Sequence, residues 1–121
     1  MIKGPEHLSQ ELGRLRQAFL ERLPERVQAI ETTLNDALSA EEVDRQRVDA
    51  LFNLAHRLCG SAGIYGYPTV HEAAGAIERV AEGFRDAGLT DEPRRLIELR
   101  QLVEALKRAS RDAAAGSAGA K

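Results

Sequence analysis

The chain is predicted to be all-α, an antiparallel up-and-down four-helix bundle with an additional N-terminal helix, and three observations lead there. Aromatic residues make up 4% of the 121 residues and Trp is absent, while Ala, Leu, Glu and Arg are frequent, a composition that favours helix over sheet. Apolar residues recur at spacings of three and four through five successive segments, the period of a one-sided helix. Short stretches carrying Pro, Gly or an S/T-x-x-E pattern separate those segments, and short connections make consecutive helices antiparallel neighbours.

The first segment carries Leu8, Leu12, Leu15, Phe19 and Leu23, and Pro24 is expected to end it. Pro24 then sits in the first turn of a second helix with Val27, Ile30, Leu34 and Leu38 inward, ending near Ser39. Ser39 and Glu42 read as a capping box for a third helix, whose inner face is Val48, Leu51, Leu54, Ala55, Leu58 and Ala62 and which runs to about Ile64. After Gly66, Tyr67 and Pro68, a second box of Thr69 and Glu72 opens a fourth, with Val70, Ala74, Ile77, Ala81 and Phe84 on one face. Gly88 is placed to cap its C-terminus, and Thr90, Asp91 and Pro93 to start a fifth built on Leu96, Leu99, Leu102, Val103 and Leu106. Residues 1–111 form the predicted bundle. Residues 112–121, rich in Ala, Gly and Ser, read as a flexible tail.

A chain of this length buries enough surface to fold as one domain without disulfides or metal. Charged residues are 30% of the sequence with signs interspersed, and the formal net charge of −2 offers no basic field for nucleic acid or an anionic membrane. The single cysteine, Cys59, excludes an internal disulfide, and neither a signal-peptide h-region nor a membrane-spanning apolar run is present. The expectation is a cytoplasmic monomer whose partners are proteins or small molecules.

The unusual segment is AHRLCGSAGIYG, residues 55 to 66, where Gly60 and Gly63 interrupt an otherwise helical pattern. Each costs about 0.5–1 kcal/mol relative to Ala, so a compensating reason is expected. Both lie on the helix face of His56, four and seven residues further on, and would leave a bare strip beside its imidazole. The core stripe of Leu51, Leu54 and Leu58 is on another face, so His56 is expected to project outward. If the third and fourth helices form a hairpin about Tyr67, Glu78 comes level with His56, each eleven residues from that centre. Its carboxylate could then hold one ring nitrogen and leave the other as nucleophile. The bland alternatives are a surface histidine and a solvated glutamate.

The order Ala55, His56, Leu58, Gly60, Ala62, Gly66 resembles the signature A-H-x-L-K-G-x-(S/A)-x-x-x-G of the histidine phosphotransfer (HPt) domain family. The segment Phe19 to Arg26 and the pair Ile77-Glu78 are also similar to the family's pattern, and the likeness covers most of the chain. The resemblance implies a phosphoryl carrier of two-component phosphorelays: His56 accepts a phosphoryl group at Nε2 and exchanges it with receiver-domain aspartates. The partners it implies are the receiver of a response regulator and/or a hybrid histidine kinase. Mg²⁺ would come with the receiver, and the chain itself would bind no cofactor and have no nucleotide site. Two alternatives stay open: an HPt-like adaptor without phosphotransfer, and a phosphoacceptor fragment of a larger histidine kinase.

One position departs from the signature, since Cys59 stands where the family usually has Lys, three residues after the acceptor. Arg57 lies about 100° round the helix from His56 and is a poor replacement, whereas Arg79, next to Glu78, could reach over. A zinc site from His56, Cys59 and His71 lacks a tight ligand motif, and no metal is expected. Candidate partner contacts are Phe52 and Asn53, before His56 on the third helix, Cys59, Gly60 and Gly63 beyond it, and His71, Gly75 and Arg79 on the fourth. Phe52 could equally be a boundary core residue, His71 an ordinary surface residue near the turn, and Gly75 a helix-packing position.

Overall fold

The computed structural model describes residues 5–39, 44–86 and 92–119 and consists there of four helices and no strand. They are α1 (Pro5–Ser39), α2 (Arg45–Tyr65), α3 (Pro68–Asp86) and α4 (Glu92–Gly119). α2 packs on α1 and α3, and α4 closes the ring against α3 and α1. The core is the apolar stripe of each helix: Leu23, Ile30 and Leu34 from α1, Leu51 and Leu58 from α2, Ile77 and Phe84 from α3, Leu99 and Leu106 from α4.

The expected additional N-terminal helix is not a separate element, because α1 continues through Pro24. Proline removes one backbone hydrogen bond and costs about 3 kcal/mol in a helix interior. Against that, Phe19, Leu20 and Leu23 before it and Val27, Ile30, Leu34 and Ala37 after it are all buried on one continuous stripe. Burying each large member contributes roughly 1.5–3 kcal/mol, so packing outweighs the local penalty. Pro24 itself is on the exposed side.

The core begins at Phe19, not at the leucines before it. Phe19 stacks on Tyr67 and meets Tyr65, with ring centroids 5.4 and 5.5 Å away, so it lies level with the α2–α3 turn. The preceding part of α1 projects past that turn and leaves Leu8, Leu12 and Leu15 exposed. Asp112, Ala113 and Gly116 of α4 flank Gly13, Arg16 and Gln17 there. This explains why residues 112–119, expected to be a flexible tail, are helical: Ala-rich sequence has the highest helix propensity, and Ala113 packs against the core cluster.

The helix starts also differ from expectation. Ser39 ends α1, its hydroxyl donating to the Asp36 carbonyl at 3.0 Å, and the N-cap of α2 is Asp44, whose carboxylate accepts from the Gln46 N–H at 2.9 Å. Glu42 lies outside the described residues, as do Gly88, Thr90 and Asp91. α3 begins at Pro68, ahead of the Thr69/Glu72 pair: the Tyr67 carbonyl accepts from the His71 N–H at 2.9 Å, and proline occupies the first helical position, where its missing N–H costs nothing.

The α2–α3 turn is tight because Gly66 takes φ +80°. The Tyr67 N–H reaches back to the Ala62 carbonyl at 2.9 Å and the Gly66 N–H to Gly63 at 3.4 Å, a Schellman closure that satisfies the last carbonyls of α2. This two-residue link fixes the register between α2 and α3 on which the candidate site depends.

Candidate functional site

His56 stands on the outer face of α2 with 66% of its side chain exposed, while Glu78 of α3 is only 20% exposed. The His56 Nδ1 and Glu78 Oε2 are 2.6 Å apart, level across the hairpin as counting from Tyr67 suggests. A carboxylate accepts, so Nδ1 carries the proton and donates. The ring's opposite edge, with Nε2, therefore faces away from α3.

Phe52, one turn earlier on α2, is half-buried and lies nearly parallel to the imidazole, 9° between planes and 5.9 Å between centroids. Its ring is also covered by the Arg85 guanidinium of α3 at 4.5 Å, and the Arg85 carbonyl accepts from Arg45 at 3.2 Å. Phe52 is thus sandwiched within the protein and supports His56 from the N-terminal side. Asn53 is exposed beside it.

The two glycines after His56 have different surroundings. A Cβ built on Gly60 meets nothing within 4 Å, so the fold does not require glycine there. At Gly63 a Cβ would come 3.1 Å from His71 Nδ1, which occupies that space and donates to the Cys59 carbonyl at 2.8 Å. The bare strip expected from both glycines is therefore open at Gly60, while at Gly63 the His71 ring seats against the backbone.

Cys59 faces α3. Its Sγ is 3.4 Å from His71 Nδ1 and would be 3.3 Å from a Cβ at Gly75, a buried residue, so Gly75 lets α2 and α3 approach at the cysteine. Arg79 folds back over the same glycine, with Nη1 3.4 Å from that Cβ position. Burial, and then the Glu78 charge, push the Cys59 thiol above its ordinary value, with Arg79 partly opposing. The thiol is therefore held neutral, contrary to what a nucleophile or metal ligand needs. Among the described residues no group of three or more His, Cys, Asp or Glu could hold a metal ion.

Two features were not read from the sequence. Arg85 shares the α3 face with Glu78, seven residues on, so helical spacing could have revealed it. Arg26 lines a groove beside His56 together with Arg57. Nothing in the local pattern places an α1 residue there, because its position depends on α1 continuing through Pro24.

The sequence model of the Hpt domain matches residues 14–109. The chain belongs to the Hpt domain family. The match coincides with the packed bundle, whose core runs from Phe19 to Ala109, and leaves out the start of α1 and the end of α4. Hpt domains are phosphocarrier modules of two-component phosphorelays that interact with receiver domains. Neither the curated proteins nor the solved structures give a match. No helix among the described residues of this Hpt domain is long and apolar enough to cross a membrane.

Proposed function

We propose that this Hpt domain carries a phosphoryl group on His56 Nε2, to or from the aspartate of a receiver domain in a response regulator or hybrid histidine kinase. The observation that carries the reading is the short Nδ1···Glu78 hydrogen bond beneath an exposed ring. Neutral imidazole has one protonated and one unprotonated nitrogen, so fixing the proton on Nδ1 leaves the Nε2 lone pair free and directed outward.

In the loading step the Nε2 lone pair forms a bond to phosphorus as the bond from phosphorus to the aspartyl oxygen breaks, and the carboxylate leaves with the bonding pair. The imidazole becomes cationic while its Nδ1 proton stays in the bond to Glu78, whose negative charge offsets it. Discharge reverses these changes. Mg²⁺ brought by the receiver would neutralise charge on the transferring group, which is most of what phosphoryl transfer requires beyond positioning. Open space at Gly60 suits a partner approaching close to the helix backbone. The domain acts as a carrier without its own nucleotide site.

Incubation with a phosphorylated receiver and Mg²⁺ tests this reading. Acid-labile, alkali-stable label is expected on the wild type and not on His56→Gln. The position of Cys59 favours a second reading, an adaptor that binds a receiver without phosphotransfer, for which the label would be absent while binding persists.

A further inference from the structure

Beside His56, on the side away from Glu78, a groove of about 560 Å³ lies between α1 and α2. Arg26 of α1 and Arg57 of α2 line it with His56, Gly60 and Ser61, beside Leu54, Leu58 and the exposed Ile64. No carboxylate lines it. Among the described residues neither arginine is in an ion pair, although the chain as a whole is acidic. Two arginines lining one groove that no carboxylate lines are a site for an anion.

The orientation of His56 identifies that anion. Since Nδ1 is held by Glu78 on α3, a group attached to Nε2 projects from the opposite edge of the ring, the edge away from α3. Cys59 and Arg79, by contrast, are at the α2–α3 seam around Gly75. A basic residue at the seam would lie on the Glu78 side. We propose that the α1–α2 groove is the oxyanion subsite for the phosphoryl group on His56, with Arg26 and Arg57 supplying the positive charge that Cys59 does not. This reverses the expectation from helical angle alone, which favoured Arg79 over Arg57, because Arg57 shares the groove with Arg26 while Arg79 lies at the seam. The inference rests on His56 being the acceptor, and it assigns a role to an α1 residue outside the signature motif.

Phosphoramidate, a small phosphoryl donor, can test the subsite without a cognate partner. In that reaction the Nε2 lone pair bonds to phosphorus, the bond from phosphorus to the donor nitrogen breaks, and ammonia leaves with the bonding pair. The full chain is loaded and the ³¹P chemical shift of the phosphohistidine is followed against pH. Nearby cations favour the dianionic phosphoryl group, so Arg26→Gln/Arg57→Gln should raise the midpoint of its last ionisation by about half to one pH unit. Loading should also shift the side-chain Nε–Hε resonances of both arginines in the wild type. An unchanged midpoint in the double variant, or a midpoint moved by Arg79→Gln instead, overturns the subsite while leaving His56 as acceptor. Absence of phosphohistidine on the wild type overturns the carrier reading and the subsite with it.

Discussion

At His56 the two ring nitrogens have different tasks, and Glu78 separates them. The 2.6 Å contact fixes the proton on Nδ1, and in the proposed transfer the Glu78 charge would offset the cation formed when Nε2 takes the phosphoryl group. Glu78→Ala should raise the population of the tautomer protonated at Nε2, visible in the imidazole ¹⁵N shifts. It should also slow loading by roughly fivefold, because a charge-assisted hydrogen bond at a partly exposed site is worth about 1 kcal/mol. Unaltered shifts with unaltered kinetics would remove Glu78 from the mechanism. Both members of this pair were legible in the sequence, since a hairpin with a short turn makes register a matter of counting. The Phe52–Arg85 stack was not, because which side of Phe52 is covered depends on how α3 leans against α2.

Within α2, Gly60 is a residue the fold would exchange for alanine at a profit. Its Cβ position is empty and it sits in mid-helix. Gly60→Ala should therefore stabilise the domain by about 0.5–1 kcal/mol in urea denaturation while slowing transfer from a receiver. Opposite signs in the two measurements are the signature of a glycine kept for a partner; a faster or unchanged transfer would assign it no such role. In α1 the conflict is between Pro24 and the stripe around it. Pro24→Ala restores a backbone hydrogen bond to a helix already held straight through by packing, against a small loss from greater freedom of the unfolded chain. Stabilisation of roughly 1–2 kcal/mol with an unchanged denaturant slope is expected. A destabilised variant would mean that proline's geometry is used by the bundle. The helix boundaries at Pro24, Asp44 and Pro68 were the least legible part of the fold, because several residues near each boundary have capping chemistry and packing selects among them.

For the whole molecule, α1 and α4 are the partners most distant in sequence, and Lys107 links them. Its ammonium is 2.8 Å from the Glu31 carboxylate of α1 and 3.4 Å from Glu104. The hydrogen bond to Glu31 is the main reason its pKa is raised above 10.5, with burial acting in the other direction. A folded-state value above the unfolded one gives stabilisation that is fully present below 10.5 and fades as pH rises through the folded value. Lys107→Gln should lower the Tm at neutral pH, and the difference from the wild type should close as pH rises through the lysine's folded-state value, above 10.5. A constant difference across that range would trace the loss to packing of the lysine stem instead. The ends of α1 and α4 extend beyond the bundle core, and residues 112–119 are helical where composition alone suggested a tail, with Ala113 packed against the core.

The sequence by itself determined that the chain is helical, which face of α2, α3 and α4 is buried, and that His56 and Glu78 come level. Each follows from interactions short in sequence: helical period and a two-residue turn. Only the tertiary structure decided that α1 is one helix, since a penalty local to Pro24 is outweighed by burial spread over the whole stripe. Tertiary packing also decided that His71 fills the space at Gly63 while Gly60 stays open, and that Arg26 arrives beside Arg57. Those outcomes depend on distances between helices that no spacing within one segment encodes, because the same apolar stripe can be satisfied by several neighbours and only the assembled bundle selects among them.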